Sequence, residues 1–571
     1  MTVAVVGDGA AVDAVRAALE DVDVDVEATA VGGVADAEFA VVVGVAGTGG
    51  FRTAGERARA GSTPLVTVEV GGLGGRALDG VHAGVSYLAP EGPCFECLAG
   101  RVAATGQEPA ESPSADRAAV RLAGAQAGRL ATDALRGNAA PGTVIELPHA
   151  QRQLAPLPHC ECATGTPDRN LPRSAEERSL DEALNAAEPL VDDRVGVVTA
   201  VGERESFPAP YYLAMNSDTS GFSDADAASR AAGVAADWNE AYMKAVGEGF
   251  ERYAAGVYRE ADFERARLNH DAAVPPERFV RPDSATDSAG DSADEISWVL
   301  GEDLASGDDA LLPAERVVFP PPDGTTGPSI TTGLGLGNSG VGAVLSGLYE
   351  TIERDATMLS WYSTFDPLGL AVDEPAFAEL RKRARAENLD VTPLLCTQDV
   401  DVPVVAVAVH RDDWPRFAVG SAADLDPAAA ARGAFCEALQ NWMELRALGP
   451  DAASEEDGAI GKYADFPSDV HDFVDPGTTI SLDDVGPDDP PAGEAELDAV
   501  LDAVTAADLD AYAARLTTRD LEAAGFEAVR VLVPQAQPLF VDTPYFGDRA
   551  RTIPKELGFQ PRLDKPFHPF P

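Results

Sequence analysis

Lysine is almost missing from this chain of 571 residues: only Lys244, Lys382, Lys462, Lys555 and Lys565 occur, and arginine supplies the rest of the 43 basic side chains. With 95 acidic residues the formal net charge is −52. No basic patch stands out, which excludes generic nucleic-acid binding. Acidic excess with lysine depletion, at an ordinary apolar fraction, is the composition of a protein working in molar salt, where the screening length falls to about 3 Å. Long apolar runs are lacking too: FAVVVGVAG at 39–47 is too short to span a bilayer. The first residues, MTVAVVGDGA, carry no basic stretch of a signal peptide, so a soluble cytoplasmic protein is expected. Cysteine is limited to six residues. Four of them fall in two pairs, and Cys396 and Cys436 stand alone in apolar segments that read as core.

Those pairs are GPCFECL, with Cys94 and Cys97, and PHCEC, with Cys160 and Cys162. C-x-x-C presents two thiolates from one turn, half of a tetrahedral zinc shell. In a reducing compartment the four predict one closed, structural Zn2+ site, with His159 able to replace a cysteine.

The chemistry is expected elsewhere. GLGLGNSG runs into an apolar-periodic helix carrying Glu350, Glu353 and Arg354. Residues i and i+3 share a helical face, so both carboxylates can meet one ligand. Glu248, Glu251 and Arg252 repeat the pattern upstream, and a third amphipathic helix carries Glu437, Gln440 and Glu444. Paired acids beside arginines suit a hydrated Mg2+ carrying nucleotide phosphates, and three such helices read as walls of one site.

In chain order, TVAVV, FAVVVGV (39–45) and PLVTVEV (64–70) predict a parallel sheet. Gly7 and Gly9 begin a dinucleotide-type turn whose third glycine is missing, so a degenerate Rossmann-like domain that does not adenylate a substrate is expected. An alanine-rich helix is predicted over 116–136, a helix over 180–187, and strands over 194–201, 403–409 and 528–533. Residues 282–295 and 451–495 read as surface loops. The fold class expected is α/β and α+β, multidomain: an N-terminal domain over 1–165, a linker over 166–180 and an α+β domain over 181–571.

Taken together, the Glu248–Arg252 helix, GLGLGNSG before GLYETIERDA, EALQ, VPQAQPLF, FGDRA and the terminal HPFP resemble the YcaO family, specifically its azole-forming (SagD-like) cyclodehydratases. The segment with GPCFECL and HCEC is similar to the ThiF-like zinc-knuckle domain that accompanies them. The resemblance implies use of ATP and Mg2+ to activate a peptide amide, so that a Cys, Ser or Thr side chain closes a thiazoline or oxazoline. It implies Glu248, Glu251, Glu350 and Glu353 as Mg2+ ligands, Arg252 and Arg354 facing phosphates, Asn338 in the nucleotide site and the carboxylate of Pro571 as a base. It further implies a peptide or protein substrate, a flavin dehydrogenase as partner and a homodimer. Two departures are visible: Gly342 stands where members often carry an acid, and Lys244 where serine is common. A non-catalytic scaffold that docks peptides or partner enzymes is the alternative.

Overall fold

The computed structural model describes residues 2–22, 24–148, 150–163, 168–282, 295–322, 328–453 and 459–570. In the first part, alternating β-branched residues build a seven-stranded sheet. Its order is Asp25–Ala28, Thr2–Val6, Phe39–Val45, Leu65–Val70, Ala83–Leu88, Thr143–Leu147 and Ala150–Gln153. The first four strands are parallel and the last three antiparallel. Successive side chains point to opposite faces. Val3, Val5, Val41 and Val43 therefore pack under the Ala10–Glu20 and Arg117–Leu135 helices. Ala4, Val6, Ala40 and Val42 meet Phe51, Phe95 and Leu98 on the other side. Gly7, at φ 110°, is required because a Cβ there would stand 2.3 Å from the Val43 carbonyl oxygen.

The second part holds three sheets, antiparallel except where Leu368–Ala371 pairs in parallel with Thr479–Ser481, and each is backed by one of the acidic helices. Val198–Glu205, Tyr211–Asn216 and Arg230–Val234 form a three-stranded sheet under the Trp238–Gly256 helix. A six-stranded sheet includes Glu295–Asp303, Tyr512–Arg515, Glu527–Leu532 and Leu334–Gly337. A five-stranded sheet includes Phe417–Ala423, Val404–His410 and Asp390–Leu395, covered by the Pro427–Ala453 helix. The Gly340–Trp361 helix lies between the last two sheets. Glycine lets its first turn sit directly on the preceding strand: a Cβ on Gly335 would meet the Ala343 carbonyl oxygen at 2.2 Å.

One apolar core crosses from the first part to the second, joining Leu98 and Val102 to Phe250 and Phe526. At its centre the fully buried Arg101 donates to Tyr253 Oη at 3.1 Å and pairs with Asp520, while Tyr253 donates to Asp520 at 2.7 Å.

Two expectations are corrected. The strand predicted over 194–201 begins at Val198, because Asp192 accepts the backbone N–H groups of Arg194 and Val195 and turns the chain. The stretch 451–495 is more than a surface loop: Tyr463, Val470 and Phe473 are buried core residues and Thr479–Ser481 is a strand. Most of the other predicted loop, 283–294, lies outside the described residues. Among the described residues no helix is long and apolar enough to cross a membrane.

Candidate functional site

Two acidic clusters face each other between the helices. In the first, Arg252 sits 3.5 Å from Glu248 and 3.9 Å from Glu251, and Glu248 accepts the Ala232 N–H at 3.0 Å. In the second, Arg354 is shared among Glu350 at 4.0 Å, Glu353 at 3.7 Å and Glu437 of the third helix at 4.0 Å. These contacts are longer than the about 2.8 Å of a direct charged hydrogen bond, so the guanidinium balances the acids without binding any one closely. Backbone donors aim the carboxylates: Gly333 N–H donates to Glu350 at 3.0 Å, and Ser421 N–H to Glu437 at 2.6 Å.

The clusters sense each other. Burial pushes the Glu251 carboxyl up to about 8, opposed by Arg252 and reinforced by the charges of Glu350 and Glu248. Burial also raises Glu353 and Glu437, with Arg354 pulling both back. Arg530, buried behind the two groups, is depressed to about 10 by burial, and Glu350 and Glu251 counter that shift. Its guanidinium holds the carbonyls of Thr331 and Ile330 at 2.9 and 2.8 Å. Five carboxylates face three guanidiniums, and the raised Glu251, Glu353 and Glu437 lack the positive charge that would hold them ionised. The donors are all oxygens, which suits a hard divalent cation.

Sequence reasoning located all five of these acids and both arginines of the E-x-x-E-R clusters. It did not find Ser421, which donates its hydroxyl to Glu353 at 2.7 Å, nor Arg530. A serine or arginine on an apolar strand carries no periodic signal. Of the third helix only Glu437 enters the site: Gln440 donates to Glu444, which accepts from Tyr211. Asn338 stands at the turn before the Gly340–Trp361 helix and donates to the Arg178 carbonyl at 3.0 Å. Lys244 points elsewhere, pairing with Glu240 at 3.5 Å. Arg549 of the FGDRA segment clamps Asp355, the residue after Arg354, at 2.6 Å and Asp399 at 2.8 Å. In the tail Phe570 and His568 are buried, and the positive charge of Arg354 adds to burial in lowering His568 to about 4. Pro571 itself lies outside the described residues.

The four cysteines converge as their spacing predicts. Sγ separations are 3.9 Å for Cys94–Cys97, 3.6 Å for Cys94–Cys160 and 3.5 Å for Cys97–Cys162. Ligands about 2.3 Å from a tetrahedral zinc lie about 3.8 Å apart, so the set fits that ion, whereas a disulfide needs about 2.05 Å. Arg519, from the second part of the chain, lies 3.7 Å from Cys162. His159 is turned away from the set, with its ring 3.5 Å from Asp262.

The family profile of the YcaO cyclodehydratases, described as ATP- and Mg2+-binding, matches residues 232–537, more than half of the chain. The chain belongs to the YcaO family. The matched stretch includes Glu248, Glu251, Glu350, Glu353 and Glu437, and leaves the cysteine set to the N-terminal part. An uncharacterized protein of Methanothermobacter thermautotrophicus is 28% identical over 334 residues, 56% of this chain and 85% of its own. Two solved structures share the fold over nearly the whole chain. A heterocyclase in complex with substrate and cofactor gives a TM-score of 0.73 at 18% identity, covering 99% of this chain and 84% of the other. The heterocyclase TruD gives 0.64 at 19% identity, covering 98% and 82%.

Proposed function

We propose that this YcaO protein is an ATP-dependent cyclodehydratase of ribosomal peptides, converting Cys, Ser or Thr with the preceding amide into a thiazoline or oxazoline. The observation that carries the reading is the convergence of Glu248, Glu251, Glu350, Glu353 and Glu437 on Arg252, Arg354 and Arg530 inside the matched stretch. Bound Mg2+ would neutralise the phosphates and orient the γ-phosphoryl group. The carboxylates of Glu248, Glu251, Glu350 and Glu353 are the ligands for it, and Arg252 and Arg354 fix their positions while facing phosphate. In the reaction the substrate side chain gives its S–H or O–H proton to a base and adds to the amide carbonyl, the resulting oxyanion takes the γ-phosphoryl group from ATP as ADP leaves, and loss of phosphate with the amide proton leaves the C=N bond. That chemistry asks for positioning and charge neutralisation rather than a protein nucleophile.

The N-terminal part is read as a ThiF-like domain in which Cys94, Cys97, Cys160 and Cys162 hold one structural Zn2+. A flavin dehydrogenase that oxidises azolines and a second copy of this chain are the partners this reading expects.

The test is ATP hydrolysis and Mg2+–nucleotide thermal shift in molar potassium chloride. Wild type should be stabilised by about 2.7 kcal/mol at a nucleotide concentration 100 times Kd. Glu350→Gln should abolish turnover and most of the shift, while Glu56→Gln on the exposed surface changes neither. A wild-type protein without any such shift overturns the reading in favour of a scaffold.

A further inference from the structure

The acidic helix Trp238–Gly256 is tied on its back to the cysteine-bearing half of the chain. Tyr253 follows Arg252 directly. At about 100° per residue it leaves the helix about 140° from Glu248 and about 160° from Glu251, so the tie and the carboxylates lie on opposite sides. The Tyr253 hydroxyl accepts from Arg101 at 3.1 Å and donates to Asp520 at 2.7 Å, and Arg101 and Asp520 also pair directly. All three side chains are completely buried.

Each partner is itself anchored. Arg101 lies on the Phe95–Ala104 helix one turn beyond Cys97, and its guanidinium also holds the Pro156 carbonyl at 3.2 Å. Asp520 follows Arg519, whose guanidinium lies 3.7 Å from Cys162. The second oxygen of Asp520 accepts from the Thr518 hydroxyl and from the Leu521 N–H at 3.0 Å. One arm of the clamp thus starts from the first cysteine pair and the other from the second. Ala245, Val246, Phe250 and Ala254 of the acidic helix pack in the apolar core, where contacts resist sliding only through shape. A hydrogen bond is directional, and leaving one unmade beside a buried charge is costly, so the hydroxyl fixes the helix along and about its axis. The front of the helix needs such a restraint. Glu251 faces the like charge of Glu350 on the opposing helix, and like charges push the two apart until a cation bridges them.

We propose that Tyr253 is a positioning residue for the Mg2+ site: held by the Arg101–Asp520 pair, its hydroxyl lets the cysteine-bearing half fix the Glu248–Arg252 stretch against the facing cluster. The proposal rests on the Mg2+–nucleotide reading of the acidic helices. The rival role is a buried contact that stabilises the fold and leaves the site indifferent.

Calorimetric titration of the full chain with a non-hydrolysable ATP analogue, across a series of Mg2+ concentrations, separates the two. Tyr253→Phe keeps the ring and removes the hydroxyl. The Mg2+ concentration for half-maximal binding should rise about tenfold, the worth of a hydrogen bond to a charged group, and full binding should return at higher Mg2+. Phe39→Leu, in the core of the first sheet, should lower Tm comparably and leave the Mg2+ requirement unchanged. Arg101→Met with Asp520→Leu should raise the requirement as Tyr253→Phe does, and adding Tyr253→Phe to that pair should change nothing more. An unshifted requirement in Tyr253→Phe, an equal shift in Phe39→Leu, or additive shifts in the triple variant overturns the proposal while the nucleotide reading stands. A wild-type protein that binds no Mg2+–nucleotide overturns both.

Discussion

Ser421 donates its hydroxyl to Glu353 at 2.7 Å from a neighbouring sheet, which fixes the carboxylate the Arg354 guanidinium would otherwise hold only at 3.7 Å. The same residue's backbone N–H holds Glu437. One strand position therefore aims two acids on two different helices.

Ser421→Ala removes the first of these contacts and keeps the second. Stability should change by about 1 kcal/mol, the ordinary worth of one hydrogen bond. Mg2+–nucleotide affinity should fall further than that, since Glu353 loses its orientation. Titration of the variant that returns wild-type affinity would show that Glu353 needs no such aim.

Glu353→Gln and Glu248→Gln should each cost ATP turnover heavily, and the double variant should cost little more than either, because the acids serve one ion cluster. Without nucleotide these variants should be as stable as wild type or more so, since each relieves a buried charge cluster. Strictly additive losses in turnover would mean two separate sites.

Glu69 offers a pH test away from the acidic helices. It is fully buried, accepts the N–H groups of Gly74 at 2.9 Å and Gly75 at 2.5 Å, and burial pushes its carboxyl from 4.5 up to about 7 against those two bonds. A raised carboxyl stabilises the fold when protonated: the contribution is complete below pH 4.5 and lost as pH rises through about 7. Relative to wild type, Glu69→Gln should therefore gain about 2–3 kcal/mol between pH 5 and pH 8. Denaturant titrations at both pH values check it, and a constant difference would refute it.

Purified protein should contain one zinc per chain, and a strong chelator should lower Tm. Cys97→Ala, whose thiol is fully buried, should do the same. Absence of zinc together with rapid alkylation of Cys94 in the folded state would remove the metal from the account.

How much of this was legible follows from where each residue sits. Glu248, Glu251, Glu350 and Glu353 could be found because helical periodicity sets them apart from an apolar stripe, and the cysteines because their spacing implies a geometry. Ser421 and Arg530 could not, since strand positions become neighbours of the helices only through sheet packing. The length of the buried stretch within 451–495 was obscured by its acidic and proline-rich surroundings, which outweigh Tyr463, Val470 and Phe473 in composition.

Asp520→Asn leaves Arg101 buried beside a neutral partner and should cost about 3–5 kcal/mol, the usual penalty of breaking a buried pair. Replacing Arg101 by Met and Asp520 by Leu together should recover much of that loss, as judged by denaturant midpoints. A single variant with wild-type stability would mean the pair contributes nothing.

Among the described residues, the core shared by Leu98, Val102 and Phe250 ties the cysteine-bearing half to the acidic helices. Rocking one half against the other would open that core and strand Arg101 without Asp520, so access for a long substrate has to come from side chains and surface segments around a rigid frame. Amide exchange should register this as a single opening event: Val102 on one side and Phe250 on the other should exchange at the same slow rate, and both should respond equally to loss of the metal.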